Sequence, residues 1–286
     1  MKKKIVEKTI NVVKAGLTIL LSQHNKNYFF VEISKQFIPK INLNTKYGSI
    51  SFFCSDELPI WRAETFFDKE PETLKWIDNI KKNSVLWDIG ANVGCYSIYA
   101  GKAGIKTYSF EPSSANYYIL NKNITDNRLD KNISAFCIAF SRKSEMAFLN
   151  MDHLNLGGAI NTFSEAKDEI SFENYEHKLK IGFRQGMISF SIDEFLDYYN
   201  IEIPNYIKID VDGLEKEILL GAEKTLKKEN LKSVLVELDE NDKETMKKIF
   251  ELFNKSGLTM SSKNRSEMIE NSKNCGKIYN YIFDRQ

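Results

Sequence analysis

In "VLWDIGANVG", Val85 to Gly94, an acid stands just before a glycine turn at the end of an apolar run. A second acid, Glu111, closes the next apolar run 21 residues after Gly90. Dinucleotide folds place G-x-G-x-x-G at such a turn, so that backbone amides and a helix N-terminus receive a pyrophosphate. Here Asn92 replaces the middle glycine, and Asp88 is expected to face the place where phosphates would lie. A carboxylate there repels a pyrophosphate and attracts a cation or an ammonium group. Glu111 stands where an acid accepts hydrogen bonds from ribose hydroxyls. S-adenosylmethionine, a nucleoside with a sulfonium and an amino-acid tail but no phosphate, suits both acids. The competing reading is that Asp88 caps the following helix and the glycines only permit a tight turn. On the ligand reading, Asp88, Gly90, Ala91, Asn92, Gly94, Ser97, Glu111, Pro112 and Ala139 are the cofactor-binding candidates.

Methyl transfer from a sulfonium requires mainly that donor and acceptor be aligned. A hydroxyl acceptor must also lose its proton, for which a nearby carboxylate or histidine is the usual base. In "YIKIDVDG" (206–213), Lys208 and Asp210 lie two apart and so share a strand face, where they are expected to pair. Such pairing holds Asp210 ionised, orients it toward an acceptor hydroxyl, helps place a divalent metal, or serves only as a structural salt bridge. Asp212, before Gly213, is expected to cap the next helix. Glu237 closes "VLVEL" and faces either substrate, a metal or a supporting partner. His153 precedes the Gly157–Gly158 pair and is a candidate base if its loop crosses the cleft; His177 is a weaker one. The catalytic candidates are therefore Asp210, Lys208, Glu237 and His153, with the metal question left undetermined. Upstream, Arg62 and Glu64 are placed to close on the donor tail or the substrate, whereas Glu70 and Glu72 around Pro71 read as a helix N-terminus. The aromatics Trp61, Phe66, Phe67, Phe163, Phe172, Tyr175 and Phe183 suit sugar or base stacking, and core packing explains most of them equally well.

The elements that must position these residues follow from periodicity. Apolar runs at 84–90, 105–112, 132–141, 206–213 and 232–240 read as strands. Helical patterns over 92–104, 113–127, 191–199, 214–229 and about 241–255 separate or follow them, the third opened by a Ser-x-x-Glu capping box. Strands that alternate with helices imply right-handed crossovers and an α/β, doubly wound, mostly parallel sheet, with ligands at the carboxyl ends of the strands. "LTMSS" and "KIYNYIFD" suggest a closing antiparallel pair. Residues 1–80 are expected to form an N-terminal extension with a strand or hairpin at "KYGSISFFCS" and a helix at its end. Residues 81–286 form the main domain, with a polar, irregular insertion at 142–190 of the kind that acts as a lid or substrate loop.

Composition narrows the class. The chain of 286 residues carries 40 Lys and Arg against 39 Asp and Glu, a balance that argues against a nucleic-acid binder. Cys54, Cys95, Cys137 and Cys275 show no short pairing, and His24, His153 and His177 form no metal motif, so a reducing, cytoplasmic setting is expected. The clean apolar run at 15–21 is too short to span a bilayer. Residues 2–22 read instead as an amphipathic helix that packs on the body, on a second subunit, or on anionic lipid.

The blocks "VLWDIGANVGCYSIYA", "SFEPSSANYYILNKN", "ISFSIDEFL", "YIKIDVDGLEKEILLGA" and "VLVEL" resemble the FkbM-type methyltransferases, class I enzymes dependent on S-adenosylmethionine. The resemblance covers about half the chain, from roughly 85 to 238, and "KEPETLKWI" upstream is also similar. One block departs: Asp212 stands where the family commonly has glutamate. The resemblance implies an O-methyltransferase. Its sugar acceptor, a nucleotide sugar or a surface glycan of capsule or lipopolysaccharide type, is implied by the family alone. A nicotinamide oxidoreductase would need phosphate-compatible glycine spacing. A nucleic-acid methyltransferase would usually carry an aromatic Pro-Pro motif after the fourth strand, and this strand ends "DVDG". A non-catalytic binding subunit that keeps the cofactor fold is the remaining alternative.

Overall fold

The computed structural model describes residues 2–18, 21–170, 179–270 and 277–286. The chain divides into two units, Met1–Pro39 and Lys40–Gln286. The first contains α1 (Lys2–Thr18) and α2 (Gln23–Phe37), the latter capped by the Ser22 hydroxyl accepting from Asn25 N.

The second unit opens with the hairpin of β1 (Lys40–Thr45) and β2 (Gly48–Phe53), then α3 (Glu57–Glu64) and α4 (Pro71–Asp78). The main alternation follows as β3 (Val85–Ile89), α5 (Cys95–Lys102), β4 (Lys106–Phe110), α6 (Ser114–Asp126) and β5 (Ile133–Phe136). β6 (Ala139–Phe140) follows, and the insertion contributes β7 (Glu145–Met151), β8 (Thr162–Ser164), β9 (Glu169–Ile170), β10 (Leu179–Lys180) and β11 (Phe183–Phe190). The chain then returns through α7 (Ile192–Tyr198), β12 (Tyr206–Ile209), α8 (Glu215–Leu220), α9 (Glu223–Leu226), β13 (Ser233–Asp239), α10 (Lys243–Lys255), β14 (Leu258–Asn264), α11 (Glu267–Glu270) and β15 (Ile278–Arg285).

A seven-stranded sheet has the order β14-β15-β13-β12-β3-β4-β5, its last five strands parallel and β15 antiparallel to both neighbours. This is the doubly wound α/β sheet with a closing antiparallel pair that periodicity predicts. Chain order reverses between β3 and β12, which pair in register as Asp88↔Lys208 and Ile89↔Ile209. Their carboxyl ends therefore open the crevice where such folds bind ligands. Successive β3 residues point to opposite faces, so Trp87 joins a core with Phe110, Phe140 and Phe195, while Leu86 joins Trp76, Ile98 and Leu120 on the other side.

Four expectations change. The unit boundary lies at residue 39, not 80, because β2, α3 and α4 bury Ile50, Phe52, Ala63, Phe66 and Ile77 in the main core. Side chains from α6 also serve the open edge of β2: Asn123 Oδ1 accepts from Phe53 N at 2.7 Å and Asn127 Oδ1 from Ser51 N at 2.8 Å. The run 132–141 breaks at Cys137–Ile138, leaving β5 in the main sheet and β6 in a second one. That second sheet, β6-β11-β7-β8, gives the insertion regular structure where polarity suggested loop. The helix expected over 214–229 divides at Gly221–Ala222, where a Cβ on Gly221 would lie 2.4 Å from Ser141 O, so only glycine lets the two segments approach.

Candidate active site

The strand ends meet closely. Gly90 N and Ala91 N both donate to Phe110 O, at 2.9 and 3.1 Å. Gly90 has φ of 82°, and a Cβ there would fall 2.0 Å from Asp210 O, so the turn is bare backbone by necessity. Beside it lies a cleft of about 590 Å³, counting its open mouth. Phe110, Ile138, Phe140, Leu149 and Phe163 form an apolar slot, while Glu111, Asp210 and Asp212 supply three carboxylates; among the described residues no lysine or arginine lines it. The carboxylates lining this cleft repel a pyrophosphate, whereas a cationic nucleoside finds an apolar slot and acids. The donor set fits S-adenosylmethionine and disfavours a dinucleotide.

Glu111 is fixed from below. Its Oε2 accepts from Asn92 N and its Oε1 from Ser113 N, both at 2.8 Å. Each oxygen keeps acceptor capacity toward the cleft. Burial lifts its carboxyl to about 7, against the opposing pull of those backbone donors.

Asp210 borders both this cleft and a smaller cavity that Arg62, Lys69, Tyr96 and Lys208 also line. Lys208 Nζ lies 2.8 Å from Asp210 Oδ2 and 4.0 Å from Asp88 Oδ1, and sits 5.0 Å from the Tyr96 ring centre. Burial pushes Asp210 up, but Lys208 and Lys69 outweigh it and hold the carboxyl at about 2. The expected Lys208–Asp210 pairing is present. Sequence reading missed a second ion pair beside it, Lys69 Nζ to Glu70 Oε1 at 2.6 Å, with Thr73 Oγ1 donating to Glu70 Oε2. Pro71 does begin α4, but Glu70 turns its carboxylate to these side chains instead of capping backbone amides. Pro71 marked the helix start; nothing marked the burial of Glu70 before it.

The Gly157–Gly158 turn lies across the glycine loop, and three side chains hold it. Arg62 Nε donates to Gly157 O at 2.9 Å. Asn92 Nδ2 and Asn116 Nδ2 donate to Gly158 O at 2.8 and 3.0 Å, and Asn116 Oδ1 accepts from Gly157 N at 2.8 Å. Asp212 is not a helix cap: it accepts from Ile160 N and Asn161 N, and the capping position of α8 is Leu214. That contact steadies Ile160 at φ 62°, a region β-branched residues avoid. The insertion thus covers the cleft, as a lid would. Asn116 had no sequence signal, because its partners lie 41 and 42 residues away.

Other candidates fall elsewhere. Asp88 is only 1% exposed and lies beneath the cleft, not on its wall; Ser97 Oγ donates to its Oδ2 at 2.5 Å, and its Oδ1 has no hydrogen bond. Ser97 is fully buried and bonds Ser109 as well, so it supports Asp88 from within the core. Gly94 is the N-cap of α5 and faces Leu120, 2.4 Å from where a Cβ would lie, so it serves packing. Gly90, Asn92, Glu111, Pro112 and Ala139 line the cleft, and Ala91 lines the smaller cavity. Glu237 lines neither cavity; burial, with Asp210 and Glu70 adding, raises it well above the usual carboxylate range. The His153 ring is 77% exposed beside Asp152 and does not line the cleft, and Glu64 is exposed. His177, Phe172 and Tyr175 lie outside the described residues. Phe66 and Phe163 are buried, whereas Trp61, Phe67 and Phe183 are exposed. Among the described residues no group of three or more His, Cys, Asp or Glu side chains is arranged to hold a metal.

The family model for the methyltransferase FkbM domain matches residues 88–279, two thirds of the chain. The chain belongs to the FkbM methyltransferase family. It is 26% identical over 186 residues to the hexuronic acid methyltransferase AglP of Haloferax volcanii, covering 63% of this chain and 66% of that protein. It is likewise 26% identical over 169 residues to methyltransferase sdnD of Sordaria araneosa, covering 51% of this chain and 63% of that one. The matches thus span just under two thirds of the length of these curated relatives. Among solved structures, the FkbM methyltransferase of Methylobacillus flagellatus is similar at 12% identity and a TM-score of 0.46, over 72% of this chain and 45% of that one. The FkbM match begins at Asp88 and includes Glu111, Lys208, Asp210 and Asp212, while Arg62, Lys69 and Glu70 precede it.

Proposed function

We propose that this FkbM-family chain transfers a methyl group from S-adenosylmethionine to a hydroxyl of a sugar, carried as a nucleotide sugar or a surface glycan. The observation that carries the methyl-donor half is a cleft with three carboxylates, an apolar slot and, among the described residues, no lining lysine or arginine, at the switch point of the sheet. The sugar half is supported by the relative named for hexuronic acid methylation. Glu111 would hold the ribose hydroxyls, the slot of Phe110, Ile138 and Phe140 the base, and the bare backbone from Gly90 to Asn92 would approach the remainder. When bound, the cofactor supplies an electrophilic methyl on a positively charged sulfur.

The chain's own contribution centres on Asp210. At about 2, its carboxyl is ionised at any physiological pH and is a weak base toward a resting alcohol. Its first role is to accept the hydrogen of the acceptor hydroxyl and aim an oxygen lone pair. As the acceptor oxygen bonds the methyl carbon, the carbon–sulfur bond would break and its electron pair would stay on sulfur, leaving a neutral thioether; the hydroxyl proton becomes far more acidic and passes to Asp210, then to solvent. Lys208 keeps Asp210 ionised between turnovers, and the Gly157–Gly158 turn excludes water from the slot.

Calorimetry with S-adenosylmethionine and with NAD tests the donor half: heat with the first and none with the second is expected, and the reverse would remove the reading. A screen of nucleotide sugars and oligosaccharides, with mass detection of an added methyl, tests the acceptor. Methylation confined to non-sugar alcohols would retain the methyltransferase and discard the sugar.

A further inference from the structure

Every described side chain of α1 is exposed, including Ile5 at 58%, Ile10 at 57%, Val12 at 73% and Val13 at 51%. An isolated helix of this length is marginal in water, and each buried Ile or Val side chain is worth roughly 1.5–3 kcal/mol. A helix that leaves all four in solvent forfeits that stabilisation until something covers them. At 3.6 residues per turn these four fall within an arc of about 160°. Lys4, Glu7, Lys8 and Asn11 occupy the opposite side.

Charge indicates what covers the apolar arc. Residues 2–18 hold five lysines against one glutamate, a net +4, whereas the whole chain is +1, which leaves the remainder at −3. A second copy of α1 would bring the same positive charge against itself. The apolar arc is also wider than the narrow seam of a two-stranded coiled coil. Among the described residues no helix is long and apolar enough to cross a membrane. A basic helix with a broad, mainly aliphatic face lies in the plane of an anionic bilayer, its apolar arc among the acyl chains and Lys4 and Lys8 at the headgroups.

We infer that α1 is an interfacial anchor that docks the protein on an anionic lipid surface. The full chain is sedimented with vesicles of phosphatidylcholine alone and of phosphatidylcholine with phosphatidylglycerol. Binding to the anionic vesicles only is expected, with release at about 1 M salt, where the screening length falls to ~3 Å. Each lysine near such a surface contributes roughly fivefold, so Lys4→Gln with Lys8→Gln should weaken partition about 25-fold. Val12→Asp should abolish it. Calorimetry with S-adenosylmethionine, unchanged in these variants, shows that the second unit is intact. Absence of binding by the unaltered chain to anionic vesicles overturns the inference. So does a dimer by light scattering that Val12→Asp converts to monomer, since the arc would then face a second copy.

Discussion

Lys208 and Asp210 face each other at 2.8 Å at the end of β12, with the lysine side chain only 2% exposed. The same ammonium lies 4.0 Å from Asp88, so one buried cation serves the acids of two adjacent strands. The positive partner that the sequence leads one to seek in a ligand opposite Asp88 is supplied by the chain itself. Asp88 acts at one remove, as part of the charge network behind the cleft.

Lys208→Met leaves buried Asp88 and partly buried Asp210 without this cation. Removing one partner of a buried pair costs about 3–5 kcal/mol. Urea denaturation should show a loss of that order, and a loss below about 1 kcal/mol would mean that Lys69 or solvent already neutralises the acids.

Asp210→Asn keeps the shape and the Lys208 contact but removes the carboxylate proposed to accept the hydroxyl proton. The turnover number should fall by roughly 10²–10⁴, the usual worth of a positioned acid–base group. Cofactor affinity by calorimetry should stay within a few-fold. Unchanged turnover would transfer the role to another group.

On the proposed cofactor reading, Glu111 would tie cofactor affinity to pH. Its folded carboxyl titrates at about 7, above the ordinary 4.5, and only its ionised form would accept from both ribose hydroxyls. Affinity should therefore strengthen as pH rises toward 7, by up to about tenfold per unit, and level off above. Stability of the unliganded protein runs the other way. The contribution of a raised carboxyl is full below pH 4.5 and is lost as pH rises through about 7. Glu111→Gln should flatten the affinity profile; a steep profile that persists would place the titration elsewhere.

The lid predicts a local effect. Asn116→Ala removes the acceptor for Gly157 N and one donor to Gly158 O. Hydrogen exchange across 155–161 should accelerate by roughly 10–100-fold, for a loss of about 1–3 kcal/mol. Exchange in β3 and β12 should not change. Uniform acceleration would mean that Asn116 supports the whole fold.

What the sequence alone determined is local or periodic. Alternating apolar runs and helical patterns specify the parallel order, because a crossover helix allows only one hand and buried strands cannot be polar. The turn at Gly90 and the acid at Glu111 were legible because one needs bare backbone and the other lies at a fixed distance beyond it. Pairings across the chain were not legible. The 4.0 Å approach of Lys208 to Asp88 and the grip of Asn116 and Asp212 on the 157–161 turn join distant segments. Burial sets the charge state of these groups, and burial is fixed only when the segments pack. Tertiary structure decided that Asp88 answers to Lys208 and that Asp210, beside it, meets the cleft.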